Sequence, residues 1–237
     1  MPKFSIIIPA RNEERFLPGC LESIAVASDP YAGDVEIIAS LNRCTDRTEE
    51  IARAAGAKIV HEDARNIARI RNAGAQAAVG EILVTIDADS RMSRGMLMTI
   101  DRLLATGKYI GGGVMIYPER WSLGILATGF LLLPIALKHR VSGGLFWCRR
   151  EDFEAIGGFD ERCVSVEDLD FAKRLKAYGK SKGKPFKTIM RDHIVTSCRK
   201  FDQFGDWYLI LNPGFVRRIF SGRSQKDADH FYYDVQR

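Results

Sequence analysis

The stretch ILVTIDADSRM, residues 82–92, decides how this chain of 237 residues is read. The run from Ile82 to Ile86 has the length and composition of a buried strand. It ends on two carboxylates, Asp87 and Asp89, with only Ala88 between them. Like charges side by side repel, so the position calls for something positive. Carboxylate oxygens suit a hard divalent cation, Mg²⁺ or Mn²⁺, which commonly binds one or two carboxylates together with substrate phosphates. The plainer reading is that both aspartates cap the next turn.

Outward from this strand the pattern alternates. Residues 4–9 (FSIIIP), 35–40 (VEIIAS) and 57–61 (AKIVH) read as strands. Residues 13–27, 48–56 and 67–80 read as helices, the last two closed by Gly56 and Gly80. Alternation implies parallel strands covered on both faces, with ligands beyond their carboxyl ends. Residues 9–12, 42–46 and 87–89 all fall at such ends. In the second half, helices are predicted at 93–107, from 150 to an end at Gly157–Gly158, and at 167–178 with Gly179 after it. Strands are predicted at 109–117, 144–150 and 186–196. Without repeats or low-complexity linkers, residues 1–237 read as one domain, with a nucleotide-binding half at about 1–110 and an acceptor-side half at 111–237.

Composition narrows the class. A hydrophobic share of 46% describes a soluble globular chain that can bury a core. Five scattered cysteines with no CxxC pair argue against a disulfide framework or structural zinc, and for a reducing, cytoplasmic setting. The first residues contain too short an apolar run for a secretory leader. A net charge of +5 fits a solvated surface, an anionic ligand or a membrane surface. Basic residues are not interleaved with aromatics as nucleic-acid modules require, so no nucleic-acid partner is expected. The apolar run at residues 123–137 is shorter than the ~20 residues a spanning helix needs. It reads as a helix half buried against the sheet, or as an interfacial segment with basic flanks.

The strand-end DxD does not stand alone. The loop ARNEE (10–14), the turn NRCTDRT (42–48), RNAGAQAAVGE (71–81), and a stretch containing GGFDE (157–161) and EDLDF (167–171) accompany it in order. Together they make residues 4 to 200 resemble the family 2 glycosyltransferases, of the type A glycosyltransferase fold. The resemblance implies a mostly parallel central sheet flanked by helices. It also implies transfer of a sugar, with inversion, from a nucleotide-diphosphate sugar to an acceptor hydroxyl, assisted by Mg²⁺ or Mn²⁺. Pro9, Ala10, Arg11 and Glu13 match the loop that holds base and ribose. Asn42 and Asp46 match a second nucleotide-contacting turn, and Arg71 an arginine facing the nucleotide, with Gly74 permitting close helix packing.

Asp89 matches the metal-binding acid, and Asp87, beside Ala88, reaches ribose or a metal-bound water. Gly143 and Gly144 match backbone lying against donor sugar or acceptor. Asp168 falls where the family places its catalytic base, with Glu167 and Asp170 beside it. His193 stands where some relatives have a metal ligand, and residues 197–201 resemble a basic segment that folds over the diphosphate. The chain departs from the commoner pattern at Leu41, where an Asp is usual, and at Arg43, where a Gly is usual. The resemblance therefore does not choose between uridine and guanosine donors. The resemblance does not name the acceptor; the apolar run at residues 123–137 with its basic flanks suggests a lipid-linked carrier, a glycan being the other expectation, with peripheral contact at the inner face of a membrane.

Two other classes use similar parts. Haloacid-dehalogenase-type phosphotransferases also end a strand in DxD, but on their first core strand rather than behind three βα units. Nucleotidyltransferases share the alternation, but carry a glycine-rich basic loop after the first strand that PARNEE lacks.

Overall fold

The computed structural model describes residues 1–139, 144–220 and 224–229. The first half runs β1 (Phe4–Ala10), α1 (Leu17–Ser28), β2 (Val35–Leu41), α2 (Thr48–Ala54), β3 (Lys58–His61), α3 (Ile67–Gln76) and β4 (Ile82–Ile86). As the alternation predicts, these strands pair in parallel, in the order β3-β2-β1-β4. Then follow β5 (Ser90–Met92), α4 (Met96–Ala105), β6 (Gly111–Pro118), α5 (Leu123–His139), β7 (Leu145–Arg149), α6 (Arg150–Ala155), α7 (Glu167–Ser181) and β8 (Phe186–Thr196). Short helices follow: α8 (Arg199–Phe204), α9 (Tyr208–Leu211), α10 (Pro213–Phe220) and α11 (Gln225–Ala228).

One eight-stranded sheet carries both halves, continuing past β4 as β7-β6-β8-β5. β7 runs antiparallel between β4 and β6, and β8 returns parallel to β6. The sheet is therefore mostly parallel and flanked by helices. Side-chain alternation builds a core on each face. Ile6 and Ile8 of β1 and Val84 and Ile86 of β4 meet Leu17, Ile24, Met96 and Ile100 on one side. Ile7 and Leu83 meet Ala68, Ala75, Phe153, Phe171 and Leu175 on the other.

Three details differ from the sequence reading. The helix expected from residue 13 starts at Leu17, because Asn12 is left-handed (φ 51°) and Pro18 fits only a first turn. Gly80 does not cap α3, which ends at Gln76. A Cβ there would lie 2.8 Å from the Phe4 carbonyl carbon, so the glycine permits a close crossing. Gly179 lies inside α7, where a Cβ would meet the Lys184 carbonyl oxygen at 2.3 Å. Both glycines were chosen by packing rather than by helix termination.

α5 is helical, as expected, and among its described side chains, up to Pro134, most are exposed. Its inner side places Gly124, Ile125 and Thr128 against the protein, with the Asp206 backbone passing over Gly124. Leu123, Leu126, Phe130, Leu131 and Leu133 are exposed. Among the described residues no helix is long and apolar enough to cross a membrane.

Candidate active site

Because β1, β2 and β4 are parallel, the loops after them share one rim of the sheet. The second loop staples the first. Asn12 Oδ1 accepts from the Thr45 N–H at 2.8 Å, the Glu13 N–H donates to Thr48 Oγ1 at 2.7 Å, and the Glu14 N–H donates to Asp46 Oδ2 at 3.0 Å. Two residues in these loops, Asn12 and Arg43, are left-handed (φ 51° and 49°). Arg43 stands where glycine is commoner, and its conformation is one glycine enters freely.

A cavity of about 300 Å³ opens at this rim. Its walls include Pro9, Ala10, Arg11 and Glu13 from the end of β1, Arg71 from α3, and Asp87, Ala88 and Asp89 from the end of β4. Gly144 and the start of α7, Glu167 and Asp168, line it as well. The sequence expectations thus converge from residues nearly 160 positions apart.

Asn42, Asp46 and His193 do not line the cavity, and Gly143 lies outside the described residues. Asn42 is fully buried, and its amide donates to the carbonyls of Glu62 and Ala64, fastening the loop after β3. Asp46 is spent on the staple. Burial pushes its pKa up, but hydrogen bonds from Thr48 and from the Glu14 N–H outweigh that and hold it below the usual carboxylate value. His193 is corrected by strand alternation: Ile194 and Thr196 line the cavity, while the His193 ring lies edge-on to Tyr117, with centroids 4.9 Å apart.

The positive partners that the DxD calls for are arginines. Arg71 is 4% exposed on its side chain and donates from Nη2 to Asp87 Oδ1 at 2.7 Å. Its Nε lies 3.6 Å from Glu167 Oε1, and its guanidinium covers the Phe159 ring at 5.4 Å. Arg199 donates from Nη1 to Glu13 Oε2 at 2.7 Å and places Nη2 3.0 Å from Asp89 Oδ2. Burial works against the charge on both arginines, but the surrounding carboxylates outweigh it and raise both pKa values.

The opposite shift marks the start of α7. Burial, then the neighbouring Asp168, push Glu167 up to about 7 against the pull of Arg71. Burial also raises Asp168, again opposed by Arg71. The turn before this pair is strained, with Val166 left-handed at φ 53°, which a β-branched residue rarely adopts. Ser165 fixes the same turn by donating to the Ile219 carbonyl at 2.7 Å.

Residues the sequence did not single out complete the wall: Ile67, Ile70, Ser90, Ile116, Ile194 and Thr196. Ser90, Ile194 and Thr196 meet there through β5, a strand of three residues. Ser90 pairs with Thr196 across the β5–β8 ladder, and the Ser197 N–H donates to the Asp89 carbonyl at 3.0 Å. That pairing delivers Ser197 Oγ to Asp89 Oδ2 at 2.8 Å and carries Arg199 to the DxD.

The donor set fits a hard cation. Asp87 and Asp89 each commit one oxygen to protein donors, and among the described residues neither second oxygen accepts a hydrogen bond. Two carboxylate oxygens suit Mg²⁺ or Mn²⁺ that completes its shell with water and substrate phosphate.

The model of the family described as "Glycosyl transferase family 2" matches residues 5–157. A "PGL/p-HBAD biosynthesis glycosyltransferase" of Mycobacterium bovis is 29% identical over 92% of this chain and 84% of its own length. Among solved structures, the mannosyltransferase PcManGT from Pyrobaculum calidifontis, in complex with GDP-Man and Mn²⁺, superposes with a TM-score of 0.67. It is 21% identical, over 95% of this chain and 66% of that one. S. aureus TarS superposes at 0.65 and 15% identity over 98% of this chain, which spans 42% of TarS, or 71% of its 1–349 form in complex with UDP-GlcNAc. These likenesses favour neither the phosphotransferase nor the nucleotidyltransferase alternative.

Proposed function

The chain belongs to glycosyl transferase family 2 and is a glycosyltransferase, and from that premise we propose that its rim cavity takes a nucleoside-diphosphate sugar and that Asp168 is the general base. The observation that carries this reading is one buried arginine, Arg71, standing between the strand-end carboxylate and the acidic pair of α7. The cavity thereby holds a donor-side acid and an acceptor-side base on opposite flanks of one cation.

The donor's base and ribose lie against Pro9, Ala10, Arg11 and Glu13. Neighbours of this fold bind both GDP-Man and UDP-GlcNAc, and Leu41 and Arg43 depart from the commoner nucleotide-binding turn, so both base classes belong in the first assay. Asp89, with Asp87, would hold Mg²⁺ or Mn²⁺, which when bound supplies positive charge to the leaving diphosphate. Arg199 and Lys200 line the same wall and add charge there. Gly144 has φ 77°, and a Cβ on it would lie 2.8 Å from Ile194 Cδ1, so only a bare backbone fits at this part of the cavity wall, against which the sugar or acceptor would lie.

Asp168 accepts the proton of the acceptor hydroxyl as the new C1–O bond forms. The C1–O bond to the diphosphate breaks on the opposite face, and its electron pair leaves with the diphosphate. One displacement without a covalent intermediate inverts the anomeric centre. The acceptor is a glycan or a lipid-linked carrier, and the free cysteines fit a cytoplasmic enzyme working at the inner face of a membrane.

Thermal shift with UDP-, GDP-, dTDP- and CDP-sugars in Mn²⁺ or Mg²⁺ tests the reading. One donor class should raise the melting temperature, since ligand at 100 Kd adds about 2.7 kcal/mol. No response to any donor with either metal would overturn it.

A further inference from the structure

Arg199 is built into the cavity wall as a counter-ion rather than as surface charge. Its side chain is 14% exposed, and its guanidinium spans two carboxylates that follow different strands. Nη1 donates to Glu13 Oε2, beyond β1, and Nη2 faces Asp89 Oδ2, beyond β4. The Phe16 ring covers the guanidinium, its centroid 5.3 Å from Cζ. The backbone two residues earlier is tied to the residue that Arg199 neutralises, because Ser197 gives its N–H to the Asp89 carbonyl and its Oγ–H to the Asp89 carboxylate.

One donor of this group is unused. Arg199 Nε is buried and among the described residues finds no acceptor. A buried donor left unmade is costly, so the guanidinium carries one more hydrogen bond than its present partners take up. Asp89 is also shared, since the acid that would hold a divalent cation already has its charge matched by a guanidinium at 3.0 Å. Two cations at one carboxylate repel, and in a wall shielded from water salt screens that repulsion little. A diphosphate changes the balance. Its oxygens accept from a guanidinium through two parallel bonds, and they bring the negative charge that an arginine and a divalent cation together require.

We propose that Arg199 competes with the divalent cation for the charge of Asp89 and that a nucleoside diphosphate relieves the competition, so that cation and diphosphate bind as a coupled pair. The inference rests on the reading of Asp89 as a metal ligand and of the cavity as a diphosphate site. Coupling of this kind is reciprocal: whatever factor the nucleotide adds to cation affinity, the cation adds to nucleotide affinity. Arg199 thereby sets the protein against holding the cation alone.

Binding measurements on the full chain test this without any sugar transfer. Loss of the electron paramagnetic resonance signal of free Mn²⁺ reads the cation, and calorimetry with UDP and with GDP reads the nucleotide. Arg199→Gln keeps a donor for Glu13 but carries no charge. It should bind Mn²⁺ alone about tenfold more tightly than the wild type, and UDP or GDP at saturating Mn²⁺ about tenfold more weakly. The opposite signs are diagnostic, because a cavity merely loosened by the substitution would lose both affinities. Arg199→Lys keeps the charge and should bind lone Mn²⁺ as weakly as the wild type. Arg199→Met serves if the glutamine variant does not fold. Equal affinity for lone Mn²⁺ in the wild type and the neutral variant overturns the proposal, as does a wild-type Mn²⁺ affinity that neither nucleotide raises. Tight binding of lone Mn²⁺ by Arg199→Lys, matching the neutral variant, assigns the effect to packing and also overturns it. A wild type that binds neither UDP nor GDP at any Mn²⁺ concentration removes the donor reading itself, and this inference with it.

Discussion

Arg71 Nη2 donates to Asp87 Oδ1 at 2.7 Å while its Nε faces Glu167 Oε1 at 3.6 Å, so one guanidinium joins the end of β4 to the start of α7. Replacing it by Met keeps the bulk and leaves Asp87, Glu167 and Asp168 without their cation. Breaking a buried pair this way costs about 3–5 kcal/mol. Urea unfolding of Arg71→Met should show that loss, and adding Glu167→Gln should restore part of it, because one unpaired acid is then gone. Equal stability of Arg71→Met and wild type would show that the acids do not depend on this arginine.

The acidic pair should also make stability depend on pH. Glu167 titrates near 7 in the folded protein against an ordinary 4.5. Between these values the folded state holds more protons than the unfolded, so this group's contribution is full below about 4.5 and is lost as pH rises through about 7. Denaturant midpoints of Glu167→Gln should therefore fall less than those of wild type over that window. Asp168, whose own pKa burial raises, must be ionised to act as the base, so transfer activity should rise as pH climbs above the ordinary carboxylate range. A wild type whose midpoint does not fall more than that of Glu167→Gln would contradict the assignment.

Metal removal gives a third expectation. Without a cation, Asp87 and Asp89 face a diphosphate with like charge. EDTA should abolish most nucleotide-sugar binding in calorimetry, and Asp89→Ala should do the same at saturating Mn²⁺ with an unchanged circular dichroism spectrum. Nucleotide affinity that survives both treatments would remove the metal from the donor site.

Val166 supplies a separate check on strain. Its left-handed backbone costs about 1–2 kcal/mol in an L-residue, and Asn tolerates that conformation better. Val166→Asn should raise the urea midpoint by the equivalent of about 1 kcal/mol. A lower midpoint would mean that the Val166 side chain contributes more through packing than the backbone strain costs.

What the sequence disclosed follows from range. β1 to β4 and their helices obey local periodicities, so their order and the shared rim could be read directly. The DxD was legible because a charged pair terminating an apolar run is a local contradiction. The place of His193 could not be read, because its spacing from Asp168 says nothing of which strand face it takes. Arg199 escaped as a partner of Asp89 because β5, three residues long, is too short to show any period, yet its pairing with β8 sets that contact. Asn72 shows the same limit. It follows Arg71 by one residue, about 100° around the helix, and turns from the cavity to bond the Phe159 carbonyl at 2.9 Å and hold the GGFDE loop. Asn42 and Asp46 were placed in the right loop, but only the hydrogen bonds show that they tie loops together.

The last expectation concerns the chemical step. Asp168 sits at the N-terminus of a helix of 15 residues, where the dipole favours its charged form, while burial disfavours it. Its Oδ1 accepts the Leu169 N–H at 2.6 Å, which fixes the carboxylate's orientation at the cavity wall. Asp168→Asn preserves the shape and that acceptor oxygen but cannot take a proton from the acceptor hydroxyl. Transfer should fall by about 10²–10⁴-fold, the usual contribution of a positioned base. Donor affinity should hold, because the donor's base, ribose and metal are assigned to residues 9–13 and the DxD rather than to Asp168. Glu167 is the competing base, and Glu167→Gln separates the two: a positioning acid should change the pH profile and leave turnover at its optimum within about tenfold, whereas a base should lose as much as Asp168→Asn. Donor hydrolysis can stand in for transfer until an acceptor is found, and proton NMR of the product reads the anomeric configuration. A retained configuration, or full turnover in Asp168→Asn, would refute a single displacement with Asp168 as its base.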